Sequence, residues 1–262
     1  MFEFHNDRKR YFEMQVDNAT DYVIPFIEKT KKIGIGTHVM EIGCGEAGVL
    51  KAFIAKGCTA VGVELEEGRI AVGKQWLQQE ISEGKLQLIS SNIYDVKENF
   101  KNQFDIIVLK DVIEHIHDQP KLIAWMKEFL KPDGIIFFGF PPWYMPWGGH
   151  QQVCHTKWIA KMPYIHLLPN ILYKPILQKN NEATDALLEV KETAISIERF
   201  EKICKQNGYT ITAKNYYLIN PIYQYKFGWK PRLQFKIISI IPFVRNFFTT
   251  CVYYTKIGRA HV

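Results

Sequence analysis

The 262-residue sequence has no apolar, uncharged run approaching the ~18–20 residues that a membrane-spanning helix requires, so an integral helical membrane protein is not expected. Its first ten residues, MFEFHNDRKR, carry charges where a secretory signal needs its apolar segment, and export is not expected either. There is no CxxC pair. The cysteines at 44, 58, 154, 204 and 251 are odd in number and scattered, which argues against a disulfide framework and a thiolate zinc site and favours a reducing cytoplasm. Acidic residues are missing from the C-terminal part: none follows Glu201, although ten Lys and Arg remain there. Residues 1–155 hold 17 basic and 21 acidic side chains, and residues 156–262 hold 16 and 6, so the net charge of +6 belongs to the second half. That half interleaves its charges with aromatics, as in YYLINPIYQYKFGWKPR. Such a surface is either simply solvated or meets an anionic substrate, membrane headgroups or RNA, and composition does not separate these.

Between these absences the chain is ordinary, with 47% hydrophobic residues and room for one large α/β domain carrying an insertion. Residues 10–32 have apolar side chains at helical spacing and predict one or two amphipathic helices. Strands are expected over 38–42, 59–64, 86–90, 104–109 and 135–140, alternating with helices over 49–55, 69–82 and 121–130. The run Val112 to Ile116 reads as a further turn of helix, and Lys131-Pro132-Asp133-Gly134 as a turn. This alternation predicts a Rossmann-like, doubly wound α/β fold with a mostly parallel seven-stranded sheet and helices on both faces. The last two strands are expected over 209–218 and 247–254, with a helix capped by Ser196 before them. Residues 141–195, aromatic and interrupted by Pro, predict a lid or binding insertion after the fifth strand. The expected plan is a single domain: helical segment 1–36, cofactor-binding core 37–140, lid 141–195, C-terminal helix and strands 196–256. The tail 257–262 reads like a translated sequencing adapter rather than natural protein.

The chemistry concentrates in Val39-Met40-Glu41-Ile42-Gly43-Cys44-Gly45-Glu46-Ala47-Gly48. A glycine turn between a strand and a helix lets backbone approach a ligand and offers the unpaired N–H groups of a helix start. Glu64, 19 residues after Gly45 and at the end of the next strand, suits two ribose hydroxyls. A nicotinamide-binding enzyme shares this pattern. Glu41, two residues before the first glycine, fits a cationic sulfonium amino acid better than a pyrophosphate.

Together with FDIIVLKDVIEHI and LKPDGIIFF, these segments resemble the class I S-adenosylmethionine-dependent methyltransferases, closely over residues 38–140. The resemblance implies S-adenosyl-L-methionine as cofactor, with Glu41, Gly43, Cys44 and Gly45 around its methionine part. It further implies Glu64 on the ribose, Leu65 beside the adenine, and Asn92 with Ile93 at the adenine edge, where the family generally has Asp in place of Asn92. Lys110 would border the methyl group, and Tyr11 would close over the carboxylate end.

Methyl transfer from a sulfonium needs alignment and, for a hydroxyl acceptor, a base. Asp111, Glu114 and His115 share one face if they lie on a helix. Their DxxEH spacing resembles the ExxEH of quinone-biosynthesis and small-RNA methyltransferases. His115 is then a structural group, a general base, or a ligand of a divalent ion with Asp111 and Glu114; no metal is assigned. His150, in the cluster WGGHQQ after the fifth strand, is a candidate substrate contact and catalytic residue. The expected activity is O-methylation of a small-molecule, lipid-linked or glycan-linked acceptor, anionic in character, with peripheral membrane contact as an option and nucleic acid not favoured. RNA methylation and an inactive cofactor-binding partner subunit are the alternatives from other classes.

Overall fold

In the computed structural model, which describes residues 7–96 and 100–257, one eight-stranded sheet organises the chain. Its strands are β1 His38–Ile42, β2 Thr59–Glu64, β3 Leu86–Ser90, β4 Phe104–Lys110, β5 Leu130–Phe140, β6 Thr210–Ile219, β7 Arg232–Leu233 and β8 Cys251–Ile257, in the order β3-β2-β1-β4-β5-β8-β6-β7. β1 to β5 pair in parallel, and β8 inserts antiparallel between β5 and β6. Parallel strands need crossovers, and the helices that make them cover both faces. The order turns around between β1 and β4, the point at which open α/β sheets leave a crevice at their carboxyl edge.

The expected Rossmann-like α/β fold is present with one more strand than the seven predicted. The addition is the two-residue β7, which pairs with Tyr217 and Ile219 at the sheet edge and is too short to leave a period in sequence. The last strand also starts later than expected, because residues 244–247 form a helical turn whose Asn246 is fully buried and hydrogen-bonded to Glu198. The residues read as a turn before the fifth strand are instead its irregular beginning, with the register against β4 shifting between Phe104 and Ile106.

Two apolar layers hold the sheet. On one face, the N-terminal segment packs Phe12, Val23, Ile24 and Phe26 against Val39, Ile106 and Phe137. That segment is continuous helix from residue 8 to 27, with a π-helical stretch at Ala19–Val23. Pro25 has no N–H to give residue 21, so the turn preceding it widens. On the other face, helices Gln119–Trp125 and Ile197–Gln206 bury Leu122, Ile123, Phe200 and Ile203 against Ile107, Phe138 and Tyr254. The insertion after β5 has its own small core of Ile159, Ile165, Tyr173, Leu177 and Leu187. It holds helices at Lys157–Lys161, Asn170–Lys179 and Thr184–Glu192, where the sequence shows only weak periodicity because Pro175 interrupts the longest of them. No helix among the described residues is long and apolar enough to cross a membrane. Residues 258–262, nearly all of the adapter-like tail, lie outside the described residues.

Phe137 sits between the rings of Phe26 and Tyr253, with centroids 6.0 and 5.0 Å away. Phe137→Ala leaves a cavity there and is expected to lower stability by about 3–5 kcal/mol. Urea unfolding measures it; a loss under 1 kcal/mol would mean that the N-terminal helix does not share this core.

Candidate active site

The register of β1 with β2 and β4 carries three chain segments to one edge. Gly43 and Cys44 follow β1 and donate their N–H groups to the Val63 carbonyl of β2, at 2.8 and 3.3 Å. Glu64, the last residue of β2, accepts the Gly45 N–H at 3.0 Å and the Glu66 N–H at 3.1 Å. The glycine turn and the acid predicted to work together are thus in direct contact. Lys110 and Asp111 end β4 beside them, and the Asp111 N–H donates to Gly139 of β5 at 2.7 Å.

The glycines answer to close approach, though mostly by protein groups. A Cβ on Gly43 would lie 2.5 Å from the Val112 side chain, so this glycine admits the segment that follows β4. A Cβ on Gly48 would lie 2.8 Å from the Phe12 carbonyl oxygen, so this one lets the N-terminal helix dock and brings Tyr11 over the cleft. At Gly45 the space is taken by the tip of Arg69, a flexible side chain paired in fork geometry with Glu46 at 2.8 and 3.2 Å.

These groups line a cleft of about 110 Å³ bounded by Tyr11, Gln15, Glu41, Gly43, Gly45 and Lys110. Its charges are unusually confined. Burial raises the Glu41 carboxyl well above the carboxylate range, and its Oε2 has no hydrogen-bond partner. Burial pulls the Lys110 ammonium down, but Asp111, with which it forms an ion pair, and Tyr11 reverse this and leave its pKa above normal. An unpaired buried carboxyl oxygen beside a glycine turn suits a cationic amino-acid group, which would restore the missing partner.

The remaining predicted cofactor residues fall along the same edge. Leu65 is exposed just beyond Glu64, and Cys44 contributes backbone while burial raises its thiol pKa well above normal. Asn92 accepts the Tyr94 N–H at 3.0 Å and thereby caps a short turn, and Ile93 is buried behind it. The premise that Asp111, Glu114 and His115 share a helical face is corrected: only Ile113–His115 is helical, as one 3-10 turn. Asp111 reaches the site because its backbone turns left-handed, at φ 56°, a conformation that Asp tolerates better than most residues.

A second cavity of about 290 Å³ adjoins the first and shares Tyr11 and Asp111 with it. It contains Glu114, His115, His150 and Lys226, with Trp147, Tyr223 and Phe227 forming apolar wall. The His115 and His150 rings lie 4.9 Å apart. Desolvation lowers both imidazoles, His150 to about 4 with His115 adding to that effect, while His115 is less enclosed because part of it is exposed. Burial raises the Glu114 carboxyl well above normal and leaves its Oε2 unpartnered. Glu114, His115 and His150 each offer a ligand atom within 4.8 Å of the others, a donor set not assigned to a metal from the sequence. Lys226, lowered to about 8 by burial, was missed, as were Arg69 and Tyr223. The basic-aromatic run containing Lys226 was the available signal.

A family model described as a methyltransferase domain matches residues 15–214. The chain belongs to that family. It is a class I methyltransferase, and its cofactor is S-adenosylmethionine. Among curated relatives, the ubiquinone biosynthesis O-methyltransferase of Pseudomonas syringae pv. tomato is 28% identical over 103 residues, 39% of this methyltransferase and 44% of that protein. The match thus spans less than half the length of that relative. A methyltransferase from Galdieria sulphuraria superposes with a TM-score of 0.59 at 10% identity, covering 93% of this chain and 85% of that one. The geranyl diphosphate C-methyltransferase of Streptomyces coelicolor gives 0.56 at 12%, covering 89% and 77%. At such identities these two likenesses concern the fold.

Two predictions follow from the geometry. Glu64→Ala should weaken S-adenosylhomocysteine binding by roughly 10–100-fold in calorimetry, the worth of hydrogen bonds to a charged group; unchanged affinity would remove Glu64 from the cofactor site. His166, fully buried with Nε2 2.8 Å from the Trp143 carbonyl oxygen, is lowered to about 4 by burial. Its unfolded form takes up a proton near pH 6.5 while the folded form does not. Its contribution to stability is therefore complete above that pH and lost progressively as pH falls towards 4. Thermal melts should show this slope between pH 7 and 5, flattened in His166→Gln.

Proposed function

We propose that this methyltransferase methylates an oxygen of a small-molecule acceptor, free or linked to a lipid or glycan, by in-line displacement. The observation that carries the reading is the junction of the two cavities: the donor cleft and the larger chamber meet at Tyr11 and Asp111. S-adenosylmethionine supplies the methyl group already activated on a sulfonium. In this reading Glu41 and Lys110 orient its amino-acid end, Gly43, Cys44 and Gly45 line it, and Glu64 holds the ribose. Leu65, Asn92 and Ile93 border the adenine.

The acceptor hydroxyl lies in the chamber, where His115 removes its proton. A neutral imidazole accepts a proton at pH 7, and partial desolvation lowers the pKa of His115, which keeps part of its surface open to solvent. His150 faces His115 and fixes the acceptor. Lys226 supplies a positive charge for an acidic acceptor, in keeping with the basic character of residues 156–262. Trp147, Tyr223 and Phe227 give the chamber an apolar wall against which the acceptor's carbon skeleton packs. The O-methyltransferase relatives support oxygen as the acceptor atom.

A second reading comes from the three convergent donors: Glu114, His115 and His150 hold a divalent cation that positions the acceptor oxygen. The two readings separate in one set of assays. With His115 as base, His115→Ala lowers turnover by about 10²-fold or more, S-adenosylhomocysteine still binds, and chelators have no effect. Loss of activity with EDTA, restored by Mg²⁺ or Mn²⁺, would replace the base with the metal.

A further inference from the structure

The segment between Gly228 and Phe248 has its side chains sorted in the reverse of the usual way. Trp229, Leu233, Phe235, Ile237, Ile240, Ile241, Phe243, Val244 and Phe248 are all exposed, with Ile237 at 72%, Ile240 at 73% and Phe243 at 64%. Gln234, Arg245 and Asn246 of the same segment are turned inward instead. Arg245 pairs with Glu198 at 2.8 Å and Glu201 at 3.1 Å, and the Asn246 amide donates to Glu198 at 2.7 Å and accepts the Ile197 N–H at 2.9 Å. Gln234 reaches the Phe248 carbonyl, and Thr249 the Arg245 carbonyl. The segment is therefore fixed from beneath by a polar network, which leaves its apolar side chains outward. Phe243 is held at φ 61°, with its N–H on Glu198 at 3.0 Å, a conformation costly for a bulky aromatic. Single exposed apolar residues are unremarkable, but nine between positions 229 and 248 mark a surface that something else covers.

Two observations say what covers it. The only charges exposed within the stretch are Lys230, Arg232 and Lys236, and no acidic residue occurs anywhere after Glu201. Apolar side chains among basic ones suit the headgroup boundary of an anionic bilayer. The patch is also joined to the acceptor chamber. Trp147, Tyr223 and Phe227 of the chamber wall also line an apolar cavity of about 210 Å³ that ends at Trp229. Another, of about 190 Å³, runs from Trp147 and Tyr223 to Trp229 and Phe248. Both cavities are walled mainly by apolar and aromatic side chains, with Gln152 and Lys161 at the first and Thr250 at the second as the exceptions, and both end at the exposed stretch.

We propose that residues 229–248 form a docking surface for an anionic lipid bilayer, through which the methyltransferase takes a long-chain amphiphilic acceptor whose tail lies in the apolar corridor and whose polar head reacts in the chamber. This rests on the function proposed above only for the identity of the acceptor, and the attachment itself is measured without catalysis.

The test is co-sedimentation of the full chain with phosphatidylcholine vesicles and with vesicles containing 30 to about 50% phosphatidylglycerol. Binding is expected to the anionic vesicles and to fall with salt, since each basic side chain contributes about fivefold at an anionic surface. Replacing Lys230, Arg232 and Lys236 together by Ala should weaken it by about a hundredfold. Ile237→Asp with Ile240→Asp should abolish it while S-adenosylhomocysteine binding, the control for folding, is retained. No sedimentation of the wild type with anionic vesicles overturns the proposal. So does a wild-type dimer in light scattering that Ile240→Asp converts to monomer without any vesicle binding, since a second copy then covers the patch. Failure of His115→Ala to affect turnover would revise the proposed chemistry and leave the vesicle result standing.

Discussion

The parallel register of β1 with β2 and β4 is the constraint on which the rest of the structure depends. Because Ile42 lies opposite Val63, and Glu41 opposite Val108, the three strands end at the same level and release their loops at one edge. The contact between the Gly45 N–H and the Glu64 carboxylate follows directly from that alignment. Side chains alternate faces along a strand, so a slip of one residue would move Glu41 and Lys110 to the opposite face of the sheet and away from the glycine turn and Asp111. The large buried residues on both faces, among them Phe137 and Phe138, hold the register against such a slip.

The site is assembled from elements with different kinds of support. The donor cleft rests on the sheet, and most of its charges are paired, Lys110 with Asp111 and Arg69 with Glu46, while one Glu41 oxygen is left without a partner. The acceptor chamber draws on separated pieces of the chain: the N-terminal helix at Tyr11, the turn after β4, the insertion after β5, and the helix Tyr223–Phe227. Gly148 and Gly149 allow the insertion to fold tightly, since a Cβ on either would meet Trp143 or His166 within 2.3 Å. His150 then follows in a left-handed conformation and faces His115. This division suits an enzyme family in which the donor is constant and the acceptor varies, because the loops and insertion can change without disturbing the sheet.

Much of this was legible in the residues. The limits of β1, β2 and β3 agree with the expected strands because apolar runs bounded by Gly57, Gly84 and polar turns mark a buried parallel strand. Ser196 caps its helix as expected, accepting the Arg199 N–H. The errors have local causes. The run from Asp111 to His115 has helical spacing but only one 3-10 turn, because the Asp111 N–H is engaged by Gly139 of the neighbouring strand. Gly43 and Gly48 also admit Val112 and the N-terminal helix, a close approach by distant residues that the local pattern does not announce.

The sequence alone determined the sheet, its crossovers and the pairing of a glycine turn with an acid one strand away, since these follow from apolar periodicity and from backbone geometry encoded within some thirty residues. Tertiary structure alone decided that Tyr11, Asp111, His150 and Lys226 surround one chamber and that the residues after Gly228 carry their apolar side chains outward. Such contacts join segments far apart in the chain, Tyr11 and Lys226 towards its two ends among them, and no local pattern records them. They arise when packing of the whole chain fixes which side chains lose water and which keep it.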